Sequence, residues 1–277
     1  MTQALIFPNL WRLWFFMAKY FKRSLESHMA FTIALAGKGG TGKTTIAGLL
    51  IKYLAARGKT PILAVDADCN ANLNEVLGLE VQDTLGQARE DMKKGDVPSG
   101  MTKDVFMSMR LEEAVAEEEN FDLVVMGQPE GAGCYCAANS LLTGFLEKLV
   151  ANYRYVVMDN EAGMEHISRL TTHNVDVLLI VSDTSRRGVQ AGLRINKLAE
   201  ELKIGVGRSY LVINRSKSEP HPEVLKLIEQ DGLELAGTLP DNDTVYDYDF
   251  NGKPTIALED DNPAVKAAYA VFDKIIP

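Results

Sequence analysis

The chain has 277 residues, of which 46% are hydrophobic, and it carries a formal net charge of −9. This length and apolar content suffice for one α/β domain with a sizeable core. The acidic balance argues against general nucleic-acid binding. Three cysteines are too few for a disulfide framework, so we expect a cytoplasmic protein.

Residues 1–28 differ in pattern from the rest of the chain. Their apolar side chains recur at helical spacing with basic residues on another face, as in a short amphipathic helix. Translation from a start upstream of Met29, or a leader left from cloning, would also explain them. We therefore assign residues 29–277 to a single domain and expect membrane contact only if residues 1–28 are an authentic amphipathic helix.

From residue 31 onward, short apolar runs alternate with longer helical stretches. The runs lack polar alternation, which is typical of buried parallel strands. The predicted strands are Phe31–Ala36, Ile62–Val65, Leu123–Met126, Tyr155–Met158, Val177–Val181, Tyr210–Ile213 and Leu235–Leu239. The predicted helices are 43–57, 137–151, 188–203, 222–231 and 263–276.

This series predicts an α/β fold, with a mostly parallel twisted sheet covered by helices on both faces. Functional residues are then expected at the carboxyl ends of the strands. Residues 80–120 are the least legible part of the chain. There we predict only that Glu117-Glu118-Glu119 is a solvated helix end.

A glycine-rich segment follows the first strand and opens the first helix. Two phosphate-binding patterns compete for it: G-x-G-x-x-G, typical of dinucleotide sites, and G-x-x-x-x-G-K-T, the P-loop. The P-loop pattern uses more of the residues, and it assigns Lys43 to the β and γ phosphates and the Thr44 hydroxyl to Mg²⁺. The predicted phosphate-binding residues are Gly37, Lys38, Gly39, Gly40, Thr41, Gly42, Lys43, Thr44 and Thr45.

Carboxylates stand at the ends of two further strands. Asp66 and Asp68 follow the second strand, and Asp159 follows the strand at Tyr155–Met158. Carboxylates at this edge suit a hydrated Mg²⁺ and a nucleophilic water, as phosphoryl transfer requires. Asp159 is the candidate Walker B aspartate, and the backbone of Gly163 could donate to the γ-phosphate.

Cys134 and Cys136 lie one residue apart and form half of a tetrahedral thiolate site. In an extended segment, residues i and i+2 project to the same side, so both thiols could bind one soft metal ion, such as Zn²⁺ or Ni²⁺. A second copy of the chain would then complete the site. The alternative is that both cysteines are small buried hydrophobes.

The P-loop Lys38-Gly-Gly-Thr-Gly-Lys-Thr44 resembles that of the deviant Walker A group, which includes the MinD and ParA ATPases. This resemblance implies that Lys38 reaches the partner's nucleotide across a homodimer, that Asp66 supports Mg²⁺ through water, and that Asp68 polarises the attacking water. It also implies that adenine lies beside two segments at the ends of later strands. These segments are Asn214-Arg215 and Pro240-Asp241.

Three segments together resemble the CooC-type ATPases, which assist nickel insertion into carbon monoxide dehydrogenase and acetyl-CoA synthase. They are Gly131-Ala-Gly-Cys-Tyr-Cys136, Asp159-Asn-Glu-Ala-Gly-Met-Glu-His-Ile-Ser-Arg169 and Ser182-Asp-Thr-Ser-Arg-Arg-Gly188. The resemblance implies an ATPase that binds ATP or ADP with Mg²⁺ and holds one Ni²⁺, or Zn²⁺ in its place, between the cysteine pairs of two subunits. Its client would be one of these nickel enzymes.

Two other functions share the nucleotide machinery. One is a MinD/ParA-like positioning ATPase, for which residues 1–28 could supply an anchor. The other is the ATP-driven reductase component that carries an iron–sulfur cluster between subunits. Such reductases take their two cysteines from separate loops, whereas Cys134 and Cys136 share one.

Overall fold

The computed structural model describes residues 30–68, 72–94, 97, 100–127, 144–160, 175–202 and 205–277. Within these residues, eight strands form one sheet. The strands are β1 Phe31–Gly37, β2 Ile62–Asp66, β3 Val115–Glu117, β4 Phe121–Val125, β5 Tyr155–Asp159, β6 Val175–Ser182, β7 Val206–Ser216 and β8 Glu234–Pro240. Their spatial order is β3-β4-β2-β5-β1-β6-β7-β8.

Every strand pair is parallel except the edge pair of β3 and β4. The predicted fold class and sheet are therefore confirmed. The helices are α1 Lys43–Ala56, α2 Leu73–Leu77, α3 Leu85–Lys94, α4 Lys103–Glu113, α5 Arg186–Glu201, α6 Pro222–Asp231, α7 Asp243–Phe250 and α8 Pro263–Ile275. Residues 144–150 are also helical, and Thr255–Ala257 form a 3₁₀ turn.

Two hydrophobic cores lie on opposite faces of the sheet. Along β1, Ile33 and Leu35 face the core that α1, α2 and α8 cover, whereas Ala34 and Ala36 face the core under α3 to α6. All four side chains are fully buried. This period of two puts every second strand residue on the same face, and burial on both faces explains why the strands read as unbroken apolar runs.

Side chains cap the first turns of α5 and α8, of which only α5 begins earlier than predicted. α5 begins at Arg186, two residues before its predicted start, because the Ser185 hydroxyl accepts a hydrogen bond from Gly188 N at 3.0 Å. α8 begins at Pro263, as predicted. There Asn262 Oδ1 accepts from Ala264 N at 2.8 Å, and proline at the first helical position has no N–H to leave unpaired.

The prediction for the acidic triplet was wrong. Glu117 ends β3, and Glu118 N donates to Phe121 O at 3.0 Å, so the triplet spans the end of a strand and the tight turn of an antiparallel hairpin. All three side chains are exposed. A turn on the surface suits charged residues as well as a helix end does, so composition alone did not separate the two.

Candidate nucleotide-binding site

The P-loop joins β1 to α1 through a backbone that only glycine adopts easily. Gly40 and Gly42 have positive φ angles of 78° and 88°. A Cβ atom at Gly37 would stand 2.3 Å from Val181 O, so the loop leaves β1 against its neighbour β6. Because the first N–H groups of α1 have no partner within the helix, this loop presents donors to an anion.

Side chains hold the carbonyl oxygens of the P-loop. The Thr41 hydroxyl donates to Lys38 O at 2.9 Å. The end of β7 supplies the other two donors, with Asn214 Nδ2 at 2.9 Å from Thr41 O and Arg215 Nη1 at 3.3 Å from Gly40 O. The loop is thus connected to a strand more than 170 positions later in the chain.

Asp66 and Asp159 are aligned with each other at the carboxyl edge of the sheet. β5 lies between β2 and β1, and Asp66 is in register with Asp159. Asp159 is 1% exposed, and the side chain of Thr44 in the first turn of α1 lies close enough to lower its pKa. Burial raises the pKa of Asp159 to about 7, opposed by the Thr44 side chain and reinforced by the charge of Asp66.

The oxygens around Thr44 fit Mg²⁺. Within the described residues, Asp159 Oδ1 is buried and has no hydrogen-bond partner. A hydroxyl, a carboxylate and water are the hard oxygen ligands that Mg²⁺ prefers, and a hydrated ion near Thr44 would complete the bonding of Asp159. The Thr44 and Asp159 side chains therefore suit the predicted cation.

Asp66 also has a structural role, which its position in the sequence did not indicate: it accepts hydrogen bonds from the backbone that follows β2. Its two carboxylate oxygens accept hydrogen bonds from Asp68 N at 3.1 Å and from Leu73 N at 2.9 Å. Burial raises the pKa of this carboxyl group to about 6, against the lowering effect of these bonds. Asp66 therefore anchors the backbone that carries Asp68, and its role towards Mg²⁺ remains a prediction.

A cleft of about 630 Å³ opens over the P-loop. This size suits a nucleotide. The predicted residues that line it are Gly39, Gly40, Gly42, Lys43, Thr44, Thr45, Asp68 and Arg215. Lining residues that the sequence analysis missed are Asn72, Glu75, Val76, Asp249, Gly252, Lys253 and Thr255.

The missed residues come from α2 and its N-cap, and from the stretch that runs from the last turn of α7 to the start of the 3₁₀ turn. Gly252 has a φ of 62°, and Lys253 N donates to Tyr248 O at 2.8 Å, so the helix ends in a tight left-handed turn beside the cleft. The Gly-Lys-Pro sequence at 252–254 signals this turn. Nothing in the sequence indicates that the turn faces the P-loop.

The two segments predicted to contact adenine meet at one edge of the sheet. Pro240 pairs with Ser216, and Asp241 N donates to Ser216 O at 3.0 Å. Arg215 lines the cleft, whereas Pro240 and Asp241 are absent from its described lining. Asn214 is buried beneath the P-loop, with one amide N–H already donated to it.

Lys38 is exposed and immediately precedes Gly39, which lines the cleft. In the part of the chain that the structure describes, its ammonium forms no ion pair. Lys43, by contrast, is 8% exposed and lies near enough to Asp159 to lower its pKa. The two lysines of the loop therefore have different surroundings.

Three predicted site residues lie outside the described residues: Gly163, Cys134 and Cys136. Among the residues that are described, no cluster of three or more His, Cys, Asp or Glu side chains could hold a metal ion. Nor is any helix in the described ranges both long enough and apolar enough to cross a membrane. The predicted thiolate site remains a prediction.

A parallel α/β sheet with a P-loop between β1 and α1, and with carboxylates at the neighbouring strand ends, defines a P-loop nucleotide-binding protein. Residues 32–256 match the CobQ/CobB/MinD/ParA nucleotide binding domain. The chain belongs to this family.

Relatives in sequence and structure agree with this assignment. An uncharacterised ATP-binding protein of Methanocaldococcus jannaschii is 42% identical over 248 residues, which is 88% of this chain and 98% of the relative. The carbon monoxide dehydrogenase accessory protein CooC of Rhodospirillum rubrum is 28% identical over 88% of this chain and 95% of its own length. The structure of the septum site-determining protein MinD of Pyrococcus horikoshii with Mg-ADP has a TM-score of 0.66 and 21% identity, covering 90% of this chain and 96% of that one.

Proposed function

We propose that this chain is an ATP-hydrolysing metallochaperone. It binds nickel, or zinc in its place, through Cys134 and Cys136 and assists nickel insertion into carbon monoxide dehydrogenase or acetyl-CoA synthase. The observation that carries the proposal is the cleft lined by the P-loop and Asp68, with Asp159 buried close enough to Lys43 and Thr44 for both to lower its pKa, because these are the groups that ATP hydrolysis would use.

Each of these groups has a task in the proposed hydrolysis. The first N–H groups of α1 and the Lys43 ammonium hold the phosphates. Thr44 and Asp159 would hold Mg²⁺, which would supply charge neutralisation at the transferring phosphoryl group. Asp68 lines the same cleft, where its carboxylate orients the attacking water and accepts its proton.

ATP also joins two copies of the chain in this proposal. The exposed ammonium of Lys38 extends from the loop to the phosphates of the partner's nucleotide. A cation at that place has a favourable Coulomb interaction with the nucleotide triphosphate, and more so once the interface excludes water. Hydrolysis removes part of the negative charge and weakens the dimer.

The metal cargo is inferred from two further observations. Cys134 and Cys136 are spaced as a two-thiolate pair, and the R. rubrum relative is named as a carbon monoxide dehydrogenase accessory protein. Two such pairs would provide four thiolates, a set that binds soft or borderline metal ions. The client enzyme is then one that requires nickel.

Metal titration of the purified protein tests the cargo. We expect one Ni²⁺ or Zn²⁺ per dimer for the native chain and for Cys69→Ala, and loss of this binding in Cys134→Ala/Cys136→Ala. Retention of one ion per dimer in the double variant would place the metal elsewhere. Phosphate release with Mg²⁺ and ATP, measured on the same samples, tests the ATPase separately.

A positioning ATPase is a second candidate. MinD of Bacillus subtilis is 26% identical over 88% of this chain, and it is named as septum site-determining. If this is the function, the full chain should sediment with anionic lipid vesicles in the presence of ATP, and a chain that begins at Met29 should not. Equal behaviour of the two chains, with neither binding vesicles, would count against it.

A further inference from the structure

Asn214 and Arg215 contact the P-loop backbone directly, although their predicted role is to contact the base. We propose that they form a latch, defined as this residue pair, which holds the P-loop in its phosphate-binding conformation. The role inferred for the latch depends on the proposed binding of nucleotide in this cleft. Its members are positioning residues: they set the affinity for the phosphates of any nucleotide without reading the base.

The hydrogen bonds of the latch are complementary. Two consecutive residues at the end of β7 donate to two consecutive carbonyls of the loop, Arg215 Nη1 to Gly40 O and Asn214 Nδ2 to Thr41 O. Fixing a carbonyl fixes the plane of its peptide group, and with it the direction of the following N–H. The latch therefore fixes the direction of two N–H groups: that of Thr41, which donates to Lys38 O at 3.4 Å, and that of Gly42.

The end of β7 packs so closely against the P-loop that no side chain fits between Asn214 and Gly42. A Cβ atom on Gly42 would stand 2.4 Å from Asn214 Nδ2, which is closer than any non-bonded contact allows. Asn214 is itself 8% exposed. The amide thus packs directly on the glycine at the N-terminus of α1, and movement of either one displaces the other.

The backbone conformation of Arg215 is energetically unfavourable for a residue other than glycine. With a φ of 54°, it is the one residue other than glycine that has a positive φ in the described ranges. It lies where the register between β7 and β8 shifts, between Ile213 and Ser216. Strained backbone persists where the surrounding structure determines it, often at functional sites. Here it directs the guanidinium towards Gly40.

A latch and a base-reading pair make different predictions. Loss of the latch lets the loop populate other conformations, and the apparent Kd for every phosphate-bearing ligand then rises by the same factor. Loss of a base contact weakens ADP but spares inorganic pyrophosphate, which has phosphates and no base. The ratio of the two dissociation constants therefore separates the two roles.

The test is to measure Kd and the dissociation rate of ADP and of inorganic pyrophosphate with Mg²⁺ for Arg215→Met, Arg215→Lys and Asn214→Ala. Arg208→Met is the matched control, an exposed arginine near the opposite end of β7. We expect Arg215→Met and Asn214→Ala to weaken both ligands by about 3- to 10-fold, the range that loss of one hydrogen bond gives. Arg215→Lys, which keeps a donor, should recover part of the loss.

Three outcomes would overturn the latch: unchanged affinity in both Arg215→Met and Asn214→Ala, a loss confined to ADP, or an equal loss in Arg208→Met. Asn214→Ala is neutral, so its effect cannot come from removing a positive charge. Arg215 is exposed, so its variants test the latch even if Asn214→Ala unfolds the chain. If the native chain itself binds no ADP, the proposed function fails rather than the latch.

Discussion

The state of one carboxyl group, Asp159, controls the predicted Mg²⁺ site. Asp159 is buried, Oδ1 has no partner in the described structure, and burial raises its pKa from 3.8 to about 7. A cation binds the ionised form, so Mg²⁺ must displace the proton. The same burial that makes the oxygen available therefore makes its affinity for Mg²⁺ depend on pH near neutrality.

We predict that the apparent Mg²⁺ affinity of the nucleotide-bound protein rises by about tenfold between pH 6 and pH 8, since the ionised fraction of a group with this pKa rises by that factor. Titration of Mg²⁺ into the ADP complex at several pH values, followed by the shift in Tm, measures it. In Asp159→Asn the rise should disappear. A variant that keeps the native pH profile would show that another group binds the cation.

In the absence of Mg²⁺, we predict that the stability of the protein falls as the pH rises, in contrast to the Mg²⁺ affinity, which rises with pH. A carboxyl group whose pKa is raised on folding contributes stability below its unfolded pKa of about 4 and loses it as the pH rises through 7. Asp66, with its pKa raised to about 6, acts in the same direction. The Tm of the metal-free protein should therefore contain a component that falls between pH 5 and 8. In Asp159→Asn this component should be smaller.

Asp68 is the residue on which the proposed hydrolysis depends most directly. We predict that Asp68→Asn lowers kcat by about 10²- to 10⁴-fold, the range for loss of a general base, while Kd for ADP changes by less than about threefold. Phosphate release and ADP titration measure the two quantities. Asp260→Asn, an exposed carboxylate paired with Lys52, is the control. A parallel loss of kcat and ADP affinity would indicate that Asp68 binds nucleotide instead.

At the scale of elements, α2 forms one wall of the cleft and depends on a glycine in α1 for its position. Glu75 and Val76 of α2 line the cleft. A Cβ atom on Gly48 would meet Val76 Cγ1 at 2.2 Å. The two helices approach this closely because Gly48 has no side chain, which explains a glycine inside a buried helix despite its poor helix propensity.

We predict that Gly48→Ala lowers the free energy of unfolding by about 1 kcal/mol, because an overpacking cost of about 1–3 kcal/mol exceeds the gain of about 1 kcal/mol in helix propensity. Chemical denaturation measures this loss, and ADP titration should show weaker binding as α2 shifts. The matched variant is Gly48→Ala/Val76→Ala, in which the clash is absent and stability should return towards the native value. If the double variant is no more stable than Gly48→Ala, the clash is not the cause.

The helices α3 and α4, near the β3 edge of the sheet, were not predicted from the sequence pattern. α3 and α4 cover β4 and are joined through Arg110, whose guanidinium pairs with Asp83, Asp91 and Glu113. These ion pairs connect residues up to 27 positions apart. No role was predicted for these charges from the sequence, and their partly buried cluster forms only when the two helices pack together.

At the scale of the whole molecule, parallel strands bring the site residues to one edge. The P-loop follows β1, Asp66 and Asp159 end β2 and β5, and Asn214 lies near the end of β7, so the order β2-β5-β1-β6-β7 brings them to the edge of the sheet where the cleft opens. Lys38 is the exception, because it extends outward without an ion pair in the described part of the chain. Its role is therefore expected in an assembly.

We predict that Lys38→Ala binds ADP with near-native affinity but loses ATP-dependent dimerisation, with kcat lowered by at least about tenfold. Light scattering with ADP and with a non-hydrolysable ATP analogue measures the assembly. Lys266→Ala, an exposed lysine on α8, should dimerise like the native chain. ATP-dependent dimers of Lys38→Ala at native affinity would exclude the proposed contact.

The sequence by itself determined the fold class and the phosphate site. Unbroken apolar runs specify strands buried on both faces, and Gly37 to Thr45 has a spacing that a phosphate-binding backbone requires, so both are written locally. The tertiary structure decided what depends on contacts between residues far apart in the chain. These are the hydrogen bonds from Asn214 and Arg215 to the P-loop, the position of the turn at Lys253 beside the cleft, and the burial that raises the pKa of Asp159. Hydrogen bonds and burial between residues far apart in the chain arise only when the sheet assembles, and no local pattern encodes them.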